Sequence, residues 1–164
     1  MTPTIRRAKP DDARQVVHVF NSVIAEGKYT IFDTPFSEEA ERNFISSLGN
    51  RSALFVAEIG NEIAGLQSIG LFSDFAASVR HVATMGTWLH ADFRGRHIGR
   101  TLAEKSLAFA LDNGYSKVVI QVLADNERAL RFYRGLGFRD IGVARQHVRL
   151  AGKLLDEIYL EKLL

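Results

Sequence analysis

The apolar residues of this chain change their period several times, and each change marks an element. Val16, Val17, Val19, Phe20, Val23 and Ile24 share one side of a 3.6-residue turn, which predicts a helix. It opens at Pro10, Asp11 and Asp12, because proline suits a first turn and carboxylates there meet the positive end of the helix dipole. Residues 4–8 before it predict a short strand. Residues 27–36 carry Tyr29, Phe32, Pro35 and Phe36 without a period, and a loop is expected there. Ser37, followed by Glu38 and Glu39, reads as an N-cap and acidic first turn for a second helix to about Leu48.

Residues 53–59 and 63–72 predict two strands joined at Gly60-Asn61-Glu62. A polar and aromatic connection over 73–78 leads to a strand over 81–90. Ile98, Leu102, Ala103, Leu107, Ala110 and Leu111 recur with helical spacing, and Asn113-Gly114 ends that helix. Residues 117–123 are nearly all apolar, which predicts a strand buried on both faces. Asn126 caps a short helix through Leu136, which Gly137 stops. Residues 138–150 and 153–160 read as a closing hairpin around Ala151-Gly152. This order predicts a single α+β domain over 1–164: a mixed sheet with helices on both faces, in three layers. It lacks the regular alternation of a doubly wound or barrel fold.

Composition narrows the function. Among 164 residues, 46% are hydrophobic and 24% charged, with a net charge of +2, so the chain is globular and lacks the dense basic patch of a nucleic-acid binder. It has no cysteine, which excludes disulfides, thiolate metal sites and a cysteine nucleophile; no metal is expected. No window approaches the ~18 apolar residues of a membrane helix. Arg6, Arg7 and Lys9 are not followed by the apolar stretch of a signal peptide. The expectation is a cytoplasmic protein with no membrane partner.

The chemistry concentrates where the strand over 81–90 gives way to the long helix, at Leu89-His90-Ala91-Asp92-Phe93-Arg94-Gly95-Arg96-His97-Ile98-Gly99-Arg100. The first N–H groups of a helix have no partner within it, and its dipole is positive there. Glycine lets a backbone approach a ligand closely, so such a turn can surround a diphosphate with donors. Arg94, Arg96 and Arg100 add charge. The turn has neither the Gly-Lys-Ser/Thr of a P-loop nor the Gly-x-Gly-x-x-Gly of a dinucleotide site.

This stretch resembles the acetyl-CoA signature of the GNAT superfamily, Arg/Gln-x-x-Gly-x-Gly/Ala. Arg94 and Gly99 match its outer positions, and His97 stands where the middle glycine is usual. The N–H survives that change, and histidine is among the residues found at positive φ more often than most. Asn126, Ala129, Tyr133, Gly137 and Phe138 resemble the family's second signature, in the usual order and separation. The resemblance covers essentially the whole chain and extends to the phosphinothricin and amino-acid N-acetyltransferase branch, through the loop Thr30–Ser37.

The resemblance implies a mostly antiparallel sheet splayed at the acetyl-CoA site. It implies that Leu89, Arg94, Gly95, Arg96, His97, Ile98, Gly99, Arg100, Asn126 and Tyr133 bind the cosubstrate. The Leu89 N–H would hold the thioester oxygen, and Tyr133 would protonate the leaving thiolate; a phenol, with an ordinary pKa of about 10, suits that task. The implied reaction is direct attack by the primary amine of a small amino-acid-like molecule, in a homodimer. Protein N-termini or lysines are alternative acceptors. A CoA-binding sensor is an alternative of another class, which would not need Tyr133. The strand over 81–90 carries no Asp or Glu, so the candidates for the general base are His81, His90, Glu26, Asp74 or water. Arg80, Arg145 and Arg149 are candidates to hold an acceptor's acid group.

Overall fold

The computed structural model describes residues 2–164. Seven strands form one sheet: β1 (Thr4–Arg7), β2 (Ala53–Ile59), β3 (Glu62–Leu71), β4 (Val82–Leu89), β5 (Lys117–Leu123), β6 (Arg139–Leu150) and β7 (Lys153–Leu163), in the order β1-β2-β3-β4-β5-β7-β6. The helices are α1 (Ala13–Ala25), α2 (Glu38–Ser47), α3 (Ile98–Asp112) and α4 (Glu127–Gly135). All strand pairs are antiparallel except β4 with β5.

The two faces of the sheet follow from the period-2 alternation of side chains along a strand. In β2, Ala53, Phe55 and Ala57 join the cluster under α3 and α4, with Leu102, Ala103, Leu130 and Tyr133. Leu54 and Val56 point the other way, into the cluster under α1 and α2 with Val16, Val19, Phe20 and Ile45. The sheet is therefore the middle of three layers, as the order of elements predicts. Ser37 caps α2 as expected, accepting from the Ala40 N–H at 3.1 Å.

Several boundaries differ from the sequence reading. Pro10–Asp12 form a single 3-10 turn, and α1 starts only at Ala13. Arg6 explains this: it binds both Asp12 (2.7 and 2.9 Å) and Glu58 (2.6 Å), so Asp12 ties the turn to the sheet. Short 3-10 turns also occupy Ala77–Val79 and Ala91–Phe93, within connections. β7 continues to Leu163, beyond the expected end at Leu160. In that extension Glu161 is buried and bound by Lys117 and by Arg139 at 2.5 Å.

One buried acid has no such partner. Glu41, on α2, is 5% exposed, and its Oε1 lacks a hydrogen bond among the described residues. Burial pushes its carboxyl up to about 6. The folded state thus binds this proton more tightly than the unfolded chain, where an ordinary glutamate titrates near 4.3. Above pH 6 the fold carries an unpaired buried charge at a cost of about 2 kcal/mol; as pH falls through 6 toward 4 that cost disappears. Glu41→Gln is expected to stabilise the protein by ~1–2 kcal/mol at pH 8 and by little at pH 4.5, as read from urea midpoints at the two pH values.

Candidate active site

β4 and β5 share only three rungs, Val82↔Lys117, Ala83↔Val118 and Thr84↔Val119. Beyond Thr84, β4 stays with β3 and β5 stays with β7, so the sheet opens into a cleft. The hydrogen bond from the His90 N–H to the Ala64 carbonyl (3.1 Å) sets the phase of the β3–β4 ladder. In an antiparallel ladder alternate residues turn their N–H groups away from the partner. Leu89, opposite Gly65, is one of these, and its N–H faces the cleft. Gly65 leaves room for the Leu89 side chain, since a Cβ there would lie 2.2 Å from Leu89 Cδ2 and 3.0 Å from the Trp88 carbonyl.

The turn into α3 has the shape of an anion site. Gly95 has φ 80° and His97 φ 60°, so the backbone passes twice through the left-handed region. Histidine holds this conformation in place of the usual glycine and keeps its side chain exposed. The N–H groups of Gly95, Arg96, His97, Ile98 and Gly99 have no hydrogen-bond acceptor among the described residues, whereas those of Arg100 and Thr101 reach the His97 carbonyl at 3.0 and 3.2 Å. Five free amides at the positive end of a 15-residue helix form an anion cradle. Arg100 and Arg128 lie at its rim, and Arg128 was not singled out from sequence. A Cβ on Gly99 would lie 3.4 Å from both Leu89 and Phe132, so the cleft floor is tight there.

Arg94 lines the same cleft but is committed elsewhere. Its Nε donates to the Leu89 carbonyl at 3.0 Å, its other two nitrogens bind Glu26 in a forked ion pair, and it lies 5.0 Å over the Tyr29 ring. The pair holds the Glu26 carboxyl below its usual range. Glu26 is therefore no proton acceptor, and the Arg94 charge is neutralised rather than offered to a phosphate.

Tyr133 lies on α4 between Phe132 and Phe138, with ring centroids 5.0 and 5.6 Å away. Its hydroxyl is 2.8 Å from Thr87 Oγ1, which accepts from Gln67 Nε2 at 2.6 Å. Burial pushes the phenol up to about 12, with the Thr87 hydrogen bond acting in the opposite direction. Asn126 caps α4, its Oδ1 accepting from the Ala129 N–H at 3.1 Å.

Two adjoining cavities, of ≈ 310 and ≈ 300 Å³, meet here. Tyr29, Thr87, Trp88, Asn126, Ala129 and Tyr133 line both. The first runs to the anion cradle; the second runs under Thr30–Phe32, across Gln121–Leu123, to Glu157. The remaining base candidates lie outside both. His81 precedes β4 at the closed end, Asp74 is exposed in its connection, and His90 stacks on His18 at 5.5 Å on the α1 face. Arg80, Arg145 and Arg149 are exposed and line neither cavity. Glu157 is not among the acids expected from sequence, because its place in β7, on the face opposite Ile158 and Leu160, reads as a solvent face.

The model of the Acetyltransferase (GNAT) family matches residues 21–138. N-acetylaspartate synthetase of Xenopus tropicalis is 26% identical over 113 residues, 67% of this chain but 40% of that protein, so the chain spans less than half of this relative. YwnH of Bacillus subtilis (strain 168), named for an inferred phosphinothricin acetyltransferase activity, is 25% identical over 154 residues, 93% of this chain and 94% of that one. The phosphinothricin acetyltransferase of Sinorhizobium meliloti, solved in complex with AcCoA, superposes with a TM-score of 0.91 at 23% identity, covering 100% of this chain and 89% of that one; it is similar in fold.

The cradle makes one substitution diagnostic. Gly99→Glu would set a carboxylate among the five free amides, and juxtaposed like charges cost several kcal/mol. Titration calorimetry with coenzyme A is expected to show affinity weakened ~10²-fold or more. Unchanged affinity would remove this turn from the ligand site.

Proposed function

We propose, on the premise that this chain belongs to the acetyltransferase (GNAT) family, that it moves the acetyl group of acetyl-CoA to the primary amine of a small amino-acid-like molecule by direct attack. The observation that carries this reading is the meeting of two cavities at Tyr133, one ending in a cradle for a diphosphate and the other lined by an aromatic loop and a carboxylate. Acetyl-CoA supplies an activated acyl carbon and a thiol leaving group. The amides of Gly95–Gly99 hold its diphosphate, with Arg96, Arg100 and Arg128 nearby. The Leu89 N–H donates to the thioester oxygen as negative charge grows there; loss of one such donor typically costs ~10²–10³ in rate.

Tyr133 gives the departing sulfur its proton. An ordinary thiol titrates near 8.5, below this phenol, and the Thr87 hydrogen bond keeps that gap from being wider. Because Thr87 Oγ1 already accepts from Gln67, its own hydrogen is free to point at the Tyr133 oxygen and to stabilise a phenolate. The phenol's hydrogen is then free for the cleft.

The size of the second cavity and the names of YwnH and the Sinorhizobium meliloti enzyme support a small acceptor. With Arg80, Arg145 and Arg149 outside the cavities, an acceptor's carboxylate would rest at the mouth, in water. A sensor that only binds coenzyme A would have no use for a proton donor at the junction. The same reading has the protein act in the cytoplasm; among the described residues no helix is long and apolar enough to cross a membrane. It also has two copies associate, which the exposed Ile141, Val143 and Leu154 of the β6–β7 hairpin support. Sedimentation velocity is expected to show a dimer.

The activity is tested by thiol release from acetyl-CoA with free amino acids, methionine sulfoximine, polyamines, peptides and aminoglycosides. Turnover is expected with small amines. Tight coenzyme A binding with no turnover on any of them would replace the enzyme by a sensor. Tyr133→Phe is expected to lower kcat ~10-fold to 10³-fold while coenzyme A affinity holds; full activity in that variant would take Tyr133 out of the chemistry.

A further inference from the structure

The second cavity is lined by a single charged side chain, that of Glu157. The side chain is 7% exposed. Beside it lies His147, whose Nε2 is 3.9 Å from Glu157 Oε2. His147 itself is half exposed, at 54%. It projects from a bulge in β6, where the ladder slips between Ala144 and Val148 and Gln146 takes φ 51°. The bulge is pinned by the Gln146 N–H donating to Asp156 Oδ1 at 2.7 Å. A buried carboxylate facing a cavity and an exposed imidazole behind it form a route from the cavity to solvent.

We propose that Glu157 is the acceptor-site acid: its carboxylate binds the incoming ammonium group, takes its proton, and releases that proton to solvent through His147. This rests on the reading of the cleft as an acetyltransferase site. It specifies the acceptor as a cationic primary amine whose charged end enters the cavity, with its remaining groups toward the mouth. The protons balance. The ammonium gives one proton to Glu157. The neutral amine attacks the thioester carbon, the C–N bond forms and the C–S bond breaks. The sulfur takes the Tyr133 proton, and the second proton from nitrogen restores the phenol. Glu157 passes its proton to the His147 imidazole and then to water.

The surroundings suit the task. Burial holds the Glu157 carboxyl above its usual range, with His147 acting the other way. No cation lines the cavity to neutralise it. The cavity it lines is also walled by Gln121 and Leu123 of β5, Tyr29 of the loop, Asn126 and Tyr133; among the described residues Tyr29 and Tyr133 are its other ionisable groups. On its own strand Asp156 is turned to Gln146, and Glu161 is bound by Lys117 and Arg139. On β6, Arg145 and Arg149 flank His147 and are exposed.

Glu157→Gln keeps the shape and removes the charge, and Glu157→Asp keeps the charge one methylene further back. Amine binding is read without catalysis from the fluorescence of Trp88, the chain's single tryptophan, which lines both cavities. With coenzyme A bound, n-butylamine is expected to bind Glu157→Gln at least ~10-fold more weakly, while coenzyme A affinity stays within about twofold. With the best amine of the acceptor panel, kcat/KM of Glu157→Gln is expected to fall ~10²-fold at pH 7 and to recover as pH approaches the amine's own pKa, where no base is needed. Glu157→Asp should lie between. His147→Ala should lose a few-fold in rate at low buffer and regain it with added imidazole. Unchanged n-butylamine affinity together with unchanged kcat/KM in Glu157→Gln would overturn the proposal, as would a rate loss that is flat with pH. Charge-dependent amine binding without acetyl transfer to any amine would instead overturn the acetyltransferase reading and leave Glu157 as the amine-binding group.

Discussion

The short parallel ladder between β4 and β5 is the constraint from which the rest of the site follows. Parallel strands need a long crossover between them, and here α3 is that crossover. Three rungs hold the strands together at one end, and each then follows a different antiparallel partner. The separation leaves backbone donors on the β4 edge unpaired and gives a ligand access to the sheet interior. It also sets the N-terminus of α3 at the mouth of the same opening. Backbone amides at the mouth and an unsatisfied strand edge inside are thus two results of one topological fact.

Side-chain pairs then fix what the backbone leaves movable. The Arg94–Glu26 pair joins the turn before α3 to the end of α1, and Tyr29 stacks against the same guanidinium. The acceptor-side loop is thereby tied to the cosubstrate-side turn. Gln67, Thr87 and Tyr133 form a second tie, running from β3 through β4 to α4 across the cluster under α3 and α4. It orients the phenol from Gln67, which lines neither cavity. The bidentate, charge-assisted Arg94–Glu26 bonds bring geometric specificity as well as energy.

The layers of the fold were legible because they rest on local periodicity: the 3.6-residue stripe of α1 and the alternation of β2 each name a face. The anion turn was legible too, since free amides at a helix start need no partner from elsewhere, and His97 adopts the backbone that its place in the turn demands. What sequence did not show depends on pairing between distant segments. Glu26 and Arg94 are 68 residues apart, and nothing local in either announces the other. Glu157 lies on a strand face that is polar by pattern, and only the arrangement of β5, β7 and the loop over Thr30–Phe32 turns that face into a cavity wall. Arg145 and Arg149 were candidates by their charge to hold an acceptor's acid group, and on β6 they are exposed and line neither cavity.

Gly65 shows how far control of the site reaches. It faces neither cavity, yet the absence of a side chain there is what leaves room for the Leu89 side chain against β3. A single methyl at this position would displace that side chain and press on the Trp88 carbonyl, so the strand end that carries the donor would be crowded in a protein with every ligand-touching residue intact. Drift at position 65 is thus a route by which a lineage with this fold would trade speed for some other property while keeping its recognisable motifs.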